Sequence, residues 1–181
     1  MSKIFDKILK DVRIELMDEF DLNFQRKAFF EKSWPQTKHP VNRGSLMMRT
    51  GALRNSLKAS VEGDKVIFTS SKEYASLHNE GGRIKVTPQM KKFFWAMYYK
   101  SIGQIKTNKS GKRSQSEGSK RATLDAEYWK SLALMKVGSP ISIPERRFIG
   151  NHPKVEQAIK TIMDENMKEV AEYISKIMKK K

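Results

Sequence analysis

The sequence predicts an α+β fold, in which a small antiparallel sheet with a β-hairpin packs against several helices and a long helix closes the chain. Apolar residues recur at three- and four-residue spacing near both ends of the chain, which is typical of amphipathic helices. Residues 57–69 alternate between apolar and polar on both sides of a turn, which is typical of a hairpin. The 181 residues, 38% of them hydrophobic, predict one domain with a modest core.

The first predicted element is a helix over residues 3–30, either continuous or broken once. Ser2 stands where its hydroxyl can cap the helix start. The helical spacing is regular as far as residue 20 and continues less cleanly through the aromatic residues up to 30. Its apolar face consists of Ile4, Phe5, Ile8, Leu9, Val12, Leu16 and Phe20.

Residues 33–48 are predicted to form an irregular connection. Pro35, Pro40 and Gly44 interrupt any regular hydrogen-bond ladder there. Trp34 is expected to anchor this segment against the body of the protein.

The hairpin is introduced by a short helical turn at residues 52–54, for which the hydroxyl of Thr50 is the predicted cap. Its strands are predicted at residues 57–61 and 66–69, with a turn between them. This is the clearest strand signal in the chain.

A short helix is predicted over residues 72–79. Gly81 and Gly82 end it, because glycine accepts the positive φ found at helix C-termini. A brief strand over residues 83–86 follows, and it leads into the middle of the chain.

Residues 88–102 are predicted to be helical, since Pro88 suits a first helical turn. Trp95 and Tyr99 fall off its apolar stripe and are interpreted as contacts for another subunit. The alternative is that aromatic residues interleaved with lysines stack on nucleic-acid bases. The predicted buried stripe consists of Met90, Phe93, Phe94, Met97, Tyr98 and Ile102.

The remaining elements are a weaker helix over residues 124–136, a strand at 141–143 and a final helix near 152–178. The apolar residues of the weaker helix are Leu124, Tyr128 and Leu132, and those of the final helix are Val155, Ile159, Ile162, Met163, Val170, Ile174 and Ile177. We expect one domain over residues 1–181. Its parts are an N-terminal helical arm and connection (1–48), a core (49–102 and 124–178) and a basic low-complexity insert (103–123).

The net charge of +16 comes from 36 Lys and Arg against 20 Asp and Glu. Such an excess favours nearby nucleic acid or an acidic protein partner. Roughly half of it lies in the insert and in the three C-terminal lysines, residues 179–181, where a solvated run is the ordinary explanation. The basic residues of the insert are Lys106, Lys109, Lys112, Arg113, Lys120 and Arg121.

Composition excludes several classes of protein. The chain has no Cys, which excludes a disulfide framework and a Cys-based zinc site and fits a reducing cytoplasm. No apolar run approaches the roughly 20 residues that a membrane span needs. Charged residues near the N-terminus stand where a signal peptide would carry an apolar core. A soluble cytoplasmic product is expected.

Nothing in the sequence predicts catalysis, a cofactor or a metal site. His39, His78 and His152 are far apart, and none has a carboxylate at the spacing of a metal motif. A hydrogen-bonding histidine near a helix end is the better interpretation of His78. The chain lacks a phosphate-binding glycine motif. A hydrolase or nuclease would need converging carboxylates or a nucleophile and base, and no local string provides them.

Three short strings carry the most distinctive residues: RTGALRNS at 49–56, YASLHNEGG at 74–82 and IPERRFIG at 143–150. Each suits the shaping of backbone or the docking of a surface. Around Phe148, two interpretations stay open. Glu145, Arg146 and Arg147 form either a surface ion-pair cluster or, with Phe148, a docking anchor held by Pro144 and Gly150.

Together the strings resemble the phage virion morphogenesis family, which includes the Mu gpG-like tail-completion proteins, and more loosely the neck proteins that join head and tail. The resemblance covers roughly residues 45–178. Arg147 departs from the family pattern, which often has a second proline there, and the basic insert lengthens the middle section. The matching residues are Thr50, Gly51, Leu53, Ser56, Tyr74, Ala75, His78, Gly81, Ile143, Pro144, Arg146, Phe148, Ile149 and Gly150.

The resemblance implies a non-enzymatic structural protein of a phage or prophage virion that completes the tail or joins it to the head. It implies assembly in the host cytoplasm as a homo-oligomeric ring, with a hexamer as one candidate size, and contact with other neck or tail proteins. The basic insert and tail would face acidic neighbours or DNA. The alternative function is sequence-independent nucleic-acid binding. The predicted contact residues are Arg146, Arg147, Phe148, Tyr74, His78, Trp95 and Tyr99, and the predicted backbone-shaping residues are Thr50, Gly51, Gly81, Gly82, Pro144 and Gly150.

Overall fold

The computed structural model describes residues 2–37, 44–108 and 110–178. They divide into two compact units. Unit 1 comprises the described parts of Met1–Gln36, Val41–Gly81 and Pro144–Lys181, and unit 2 consists chiefly of Gly82–Ile143. The chain therefore leaves unit 1 after Gly81 and returns to it at Pro144. No helix among these residues combines the length and the apolar character that a bilayer crossing requires.

Five α-helices and three two-stranded antiparallel sheets make up the described residues, which confirms the α+β prediction. The sheets pair β1 with β2, β3 with β4 and β5 with β6. In chain order the elements are α1 (Ser2–Arg26), β1 (Ala28–Phe29), β2 (Lys32–Ser33), β3 (Leu57–Glu62), β4 (Lys65–Ser70), α2 (Ala75–Glu80), β5 (Gly82–Lys85), α3 (Pro88–Gly103), α4 (Glu117–Leu134), β6 (Pro140–Ile143) and α5 (Pro153–Met178).

The long helices α1 and α5 pack against each other in unit 1. Lys7 forms an ion pair with Glu169, and Asn166 donates from Nδ2 to Oδ2 of Asp11. A core cluster forms along this contact and includes the two aromatic residues that follow α1. Each large apolar side chain that it buries contributes about 1.5–3 kcal/mol. The buried members are Val12, Leu16, Phe20, Phe29, Phe30, Val155 and Ile162.

A second core cluster lies at the C-terminal end of α1. The ring of Phe24 packs edge-on to Trp34, with ring centroids 5.6 Å apart, and lies 5.1 Å from the ring of Phe148. Trp34 is buried. The other buried members are Leu46, Leu53, Leu57 and Ala75.

The first helix is shorter than predicted. It ends at Arg26, and a tight β1–β2 pair replaces the predicted helical turns. Lys27 and Phe30 have φ values of 55° and 53°, which a helix cannot contain. Ala28, Phe29 and Phe30 are all buried. Three consecutive buried residues do not fit the one apolar face of a surface helix. The side chain of Ser2, the predicted cap, lies outside the described residues.

The β3–β4 hairpin is confirmed, and each strand is slightly longer than predicted. Its register pairs Leu57 with Ser70 at one end and Glu62 with Lys65 at the turn. The short helix α2 begins three residues later than predicted. Gly81 follows it with φ 72°, whereas Gly82 is the first residue of β5.

Unit 2 contains the helix pair α3–α4 and the β5–β6 sheet. Helix α3 confirms the prediction for residues 88–102 and has Pro88 at its first turn. The hydroxyl of Thr87 caps it by accepting the N–H of Met90 at 3.1 Å. The register of the sheet pairs Gly82 with Ile143.

Helix α4 begins at Glu117, seven residues earlier than predicted, and Ser116 caps it. Its predicted apolar face was wrong in part, because Leu124 is 55% exposed, whereas Tyr128 and Leu132 are half-buried. Small side chains form the buried face instead and allow close approach of the helices: Ser119, Ala122, Ala126 and Ala133.

The buried stripe predicted for α3 was wrong in part. Phe94 is buried and stacks on Trp129, with centroids 6.0 Å apart. Phe93 is 54% exposed and meets the same indole only edge-on. The reason is geometric: neighbouring residues on a helix point about 100° apart, so Phe94 faces α4 while Phe93 lies at the edge of that contact.

Candidate docking site

The third string forms a loop that α2 holds by its backbone and by one amide. The N–H of Arg146 donates to the carbonyl oxygen of His78 at 2.8 Å. The N–H groups of Phe148 and Ile149 both donate to Oδ1 of Asn79, at 2.9 and 3.1 Å. The second string is thereby fixed to the third, although about 70 residues separate them in the chain.

Side chains from α1 and from the residue after β2 hold the carbonyl groups of the same loop. Nδ2 of Asn23 donates to the carbonyl oxygen of Phe148 at 3.1 Å. The indole N–H of Trp34 donates to the carbonyl oxygen of Arg147 at 2.6 Å. Asn23 is fully buried and also accepts the N–H of Phe30 at 3.0 Å. This loop is therefore a rigid, internally hydrogen-bonded part of unit 1.

Arg146 and Phe148 lie in the interior of unit 1. The Phe148 ring is 2% exposed, and Arg146 is 6% exposed. Nε of Arg146 donates to the carbonyl oxygen of Pro35 at 3.0 Å, and burial lowers the pKa of its guanidinium. The predicted docking anchor placed both side chains at the surface. In this fold both side chains are buried beneath the loop and support it. They could contact a partner only if unit 1 rearranged to expose them.

His78 lies next to this interior, at the end of α2. Among the described residues, its Nδ1 is buried without a hydrogen-bond partner. The hydrogen bond expected for the ring is therefore not formed at Nδ1. Its ring meets that of Tyr74 edge-on at 5.8 Å. Burial lowers the pKa of His78, and the positive charge of Arg146 lowers it further. Tyr74 is 43% exposed and remains a candidate contact residue.

The exposed side of the loop borders a groove of about 520 Å³. Glu145 and Arg147 point outward, with side chains 43% and 42% exposed, and form an ion pair at 3.3 Å. The guanidinium of Arg147 also lies 5.9 Å from the centre of the Phe29 ring. The groove residues other than Glu145 and Arg147 are Phe29, Glu31, Lys32, Ser33, Trp34, Pro35, Asn151 and His152.

His152 is held rigidly at this groove. Its ring stacks on Phe30 at 4.3 Å, and its Nδ1 accepts the N–H of Lys154 at 3.2 Å. Its Nε2 lies 3.0 Å from Oε1 of Glu31. Because Nδ1 accepts a hydrogen bond, the proton of the neutral ring is on Nε2. The Nε2–H group then donates a hydrogen bond to Oε1 of Glu31.

The first string shapes the approach to β3 and is tied to α1. Thr50 Oγ1 accepts the N–H of Ala52 at 3.3 Å, and Gly51 has φ 71°. Thr50 therefore caps the turn, and the short 3₁₀ helix that follows at Arg54–Ser56 has no side-chain cap. The guanidinium of Arg54 forms a bidentate ion pair with Asp21 of α1.

A side chain at two of the other glycines in unit 1 would meet close neighbours. A Cβ on Gly150 would lie 3.1 Å from Cδ of Arg147. A Cβ on Gly44 would lie 2.5 Å from the carbonyl oxygen of Met48. Pro144 is the first residue of unit 1 after unit 2.

The remaining predicted contact residues belong to unit 2. Trp95 is half-buried and stacks with Tyr99, with centroids 6.0 Å apart, and Tyr99 is 65% exposed. Lys109 of the basic insert, Pro40, His39 and residues 179–181 lie outside the described residues. The other basic residues of the insert are all exposed: Lys106, Lys112, Arg113, Lys120 and Arg121.

Sequence reasoning missed the polar side chains that hold the third string. Asn23 interrupts the apolar stripe of α1 between Phe20 and Phe24, and a polar residue on a buried stripe is a detectable signal. Asn79 lies within the second string, but its partner is remote in sequence. No group of three His, Asp or Glu suited to a metal ion occurs in the part of the chain that the structure describes.

The family comparison matches the same region that contains the strings. The model of the phage virion morphogenesis family matches residues 27–168. These residues include α2, the loop of the third string and the whole of unit 2. Comparison with curated proteins and with solved structures gave no significant match. Because the match covers most of the length of this chain, the chain belongs to the phage virion morphogenesis family.

Proposed function

We propose that this structural protein of the phage virion completes the tail, or joins the tail to the head, by ring assembly and docking and without catalysis. Membership of the family supports the role in virion assembly. The observation that carries docking is the rigid loop of the third string. Its backbone is held by Asn79, Asn23 and Trp34, so that Glu145 and Arg147 are presented at the groove in one arrangement. A preorganised surface loses little entropy on binding.

Loss of the protein tests the role. We expect electron microscopy of a phage or prophage lysate that lacks this gene to show heads and tails that are separate or incomplete. Normal, infectious tailed particles from the same lysate would contradict the proposal.

The groove is tested with a charge reversal that spares the interior. Arg147→Glu is expected to fold with an unchanged thermal midpoint but to reduce infectious particles at least tenfold in a complementation assay. Lys58→Glu, a reversal on the exposed face of β3, is the matched control and should complement fully. Equal complementation by both variants would overturn docking at this groove.

The C-terminal half of α5 supports self-association. After Asn166, no described residue of this helix is buried. Met163, Met167, Val170, Ile174 and Ile177 nevertheless recur at alternating four- and three-residue spacing, which is the pattern of a helix–helix seam. Ile174 and Ile177 are 50% and 48% exposed. A twelve-residue extension with one uncovered apolar stripe is marginal without packing. We therefore assign this stripe to contact with a second copy in the ring.

Native mass spectrometry tests that contact. The double variant Ile174→Glu/Ile177→Glu is expected to shift the protein to monomer. Lys168→Glu/Lys176→Glu, on the polar side of the same helix, should keep the wild-type oligomer. A monomeric wild type, or equal oligomers in both variants, would contradict ring assembly through α5.

A second candidate function is sequence-independent nucleic-acid binding. The observation that favours it is the location of the charge, because residues 82–143 hold thirteen Lys or Arg against three Asp or Glu. Such binding should weaken steeply with salt. A fluorescence anisotropy titration at 50 mM salt that detects no binding to duplex DNA would remove this candidate.

A further inference from the structure

Part of the basic insert is an ordered hairpin. The N–H of Ser114 donates to the carbonyl oxygen of Lys106, and the N–H of Asn108 to that of Lys112, both at 2.8 Å. Thr107 and Arg113 form the bridge between these two bonds. The N–H of Gly111, which has φ 74°, donates back to the carbonyl oxygen of Asn108 at 2.9 Å. The described residues of this hairpin, 106–108 and 110–114, are called the basic hairpin below.

A buried serine fixes the basic hairpin to α4. The hydroxyl of Ser119 accepts the N–H of Lys106 at 3.2 Å and donates to the carbonyl oxygen of the same residue at 3.3 Å. Ser119 is 2% exposed. The base of the hairpin and the first turns of α4 therefore keep one arrangement, which a solvated low-complexity run would not have.

Five exposed cations surround this junction. In an antiparallel ladder, residues that pair across the strands share a face and neighbours alternate. Lys106 and Lys112 consequently belong to one face of the basic hairpin, and Arg113 belongs to the other. Lys120 and Arg121 follow on α4. None of the five has an ion-pair partner among the described residues.

We propose that the basic hairpin and the start of α4 form a binding site for the phosphate backbone of double-stranded DNA. This rests on the second candidate function and names the surface that performs it. The partner is argued from charge, because several unpaired cations in a fixed arrangement complement a polyanion with closely spaced phosphates. Base stacking is not part of the proposal, because the aromatic side chains of unit 2 lie on α3 and on the later turns of α4.

The test uses the full chain and a 30-base-pair duplex of arbitrary sequence, with affinity measured by fluorescence anisotropy between 50 and 300 mM salt. Lys106→Gln/Lys112→Gln/Arg113→Gln is expected to weaken binding about tenfold or more and to lower the slope of log affinity against log salt by about 2–3. The control Lys10→Gln/Lys58→Gln/Lys65→Gln removes the same charge from exposed positions of unit 1 and should change the slope by less than one.

The variant Ser119→Ala distinguishes binding that needs a fixed arrangement of the cations from binding that depends on net charge alone. It removes both hydrogen bonds to Lys106 and leaves the charge unchanged, so a loss of affinity of about threefold or more supports the fixed arrangement. Circular dichroism of each variant verifies the fold.

The outcomes are distinct. If wild type binds duplex DNA but both triple variants lose affinity equally, the hairpin site is overturned and the second candidate function survives. If the wild-type protein does not bind DNA, both the hairpin site and the second candidate function are overturned. Polyglutamate is a second probe: binding of polyglutamate, but not of DNA, that depends on the same three residues would reassign the surface to an acidic protein.

Discussion

The Oδ1 atom of Asn79 lies 2.9 Å from the backbone nitrogen of Phe148 and also accepts the next N–H of the chain. One amide oxygen thus serves two backbone donors beside the interior of unit 1. The side chain that satisfies the loop comes from the end of α2, so the two strings are parts of one hydrogen-bonded unit.

Asn79→Ala should destabilise unit 1 by about 2–4 kcal/mol, because each enclosed N–H left without an acceptor costs about 1–3 kcal/mol. Asn79→Asp keeps an acceptor oxygen and should lose less. Chemical denaturation followed by tryptophan fluorescence measures both variants. An equal loss of stability in the two variants would contradict the importance of the acceptor oxygen and would assign the effect to the shape of the side chain.

Asp21→Asn should cost less than about 1 kcal/mol, although it breaks the only ion pair of the first string with α1 in the described residues. Both side chains remain partly exposed, at 31% for Asp21 and 28% for Arg54, and water screens their attraction. The same denaturation experiment checks this value. A loss as large as that of Asn79→Ala would contradict the ranking.

The stability of the protein should fall as the pH drops below about 6.5, through the titration of His78. Its pKa is lowered in the folded state from the ordinary value of 6.5. Between the folded and unfolded pKa values the unfolded chain binds more protons, so unfolding becomes easier as the pH falls. Asp21, whose pKa is also lowered, contributes only near and below its ordinary value of 3.8.

His78→Gln is the control for that prediction. It should flatten the pH dependence of the free energy of unfolding between pH 7.5 and 5. Thermal melts across this range measure it. An identical slope in wild type and variant would assign the dependence to other groups.

Gly44→Ala should be far more damaging than Gly63→Ala. Both glycines have positive φ, 71° and 61°, so alanine is strained at either position. At Gly63 a Cβ meets nothing within 4 Å, whereas at Gly44 it would lie within 3 Å of the backbone of Met48 and Arg49. We expect a difference of about 2 kcal/mol or more. Equal thermal midpoints would contradict the clash.

Periodicity predicted the elements whose pattern is local. The β3–β4 hairpin and helices α3 and α5 have nearly the predicted bounds, because apolar spacing, turn residues and Pro88 lie within each element. For α4 it predicted a start seven residues too late and only part of the buried face, because that face consists largely of small residues that no hydrophobicity pattern marks. It also failed after Arg26, where tertiary packing of Phe29 and Phe30 overrides helix spacing.

The candidate site was predictable only in outline. The string from Ile143 to Gly150 was recognised, but its inward and outward residues were not separated. Arg146 and Arg147 look alike in sequence, and their burial is decided by contacts with Pro35 and Phe29, more than 100 residues away. Asn23 and Asn79 form hydrogen bonds with partners that are equally remote in sequence. The prediction that residues 1–181 form one domain stays a prediction.

The contact of Lys7 with Glu169 joins positions 162 residues apart. During synthesis, α1 leaves the ribosome well before its partner α5, so the core that these two helices share in unit 1 cannot close until α5 has been made. Most of unit 2 is one continuous segment, Gly82–Ile143, and this segment can collapse while α5 is still being made. Its early folding would bring residues 81 and 144 close together, which shortens the chain loop that unit 1 must close afterwards. We expect the segment between Gly81 and Pro144 to act as a folding aid for unit 1.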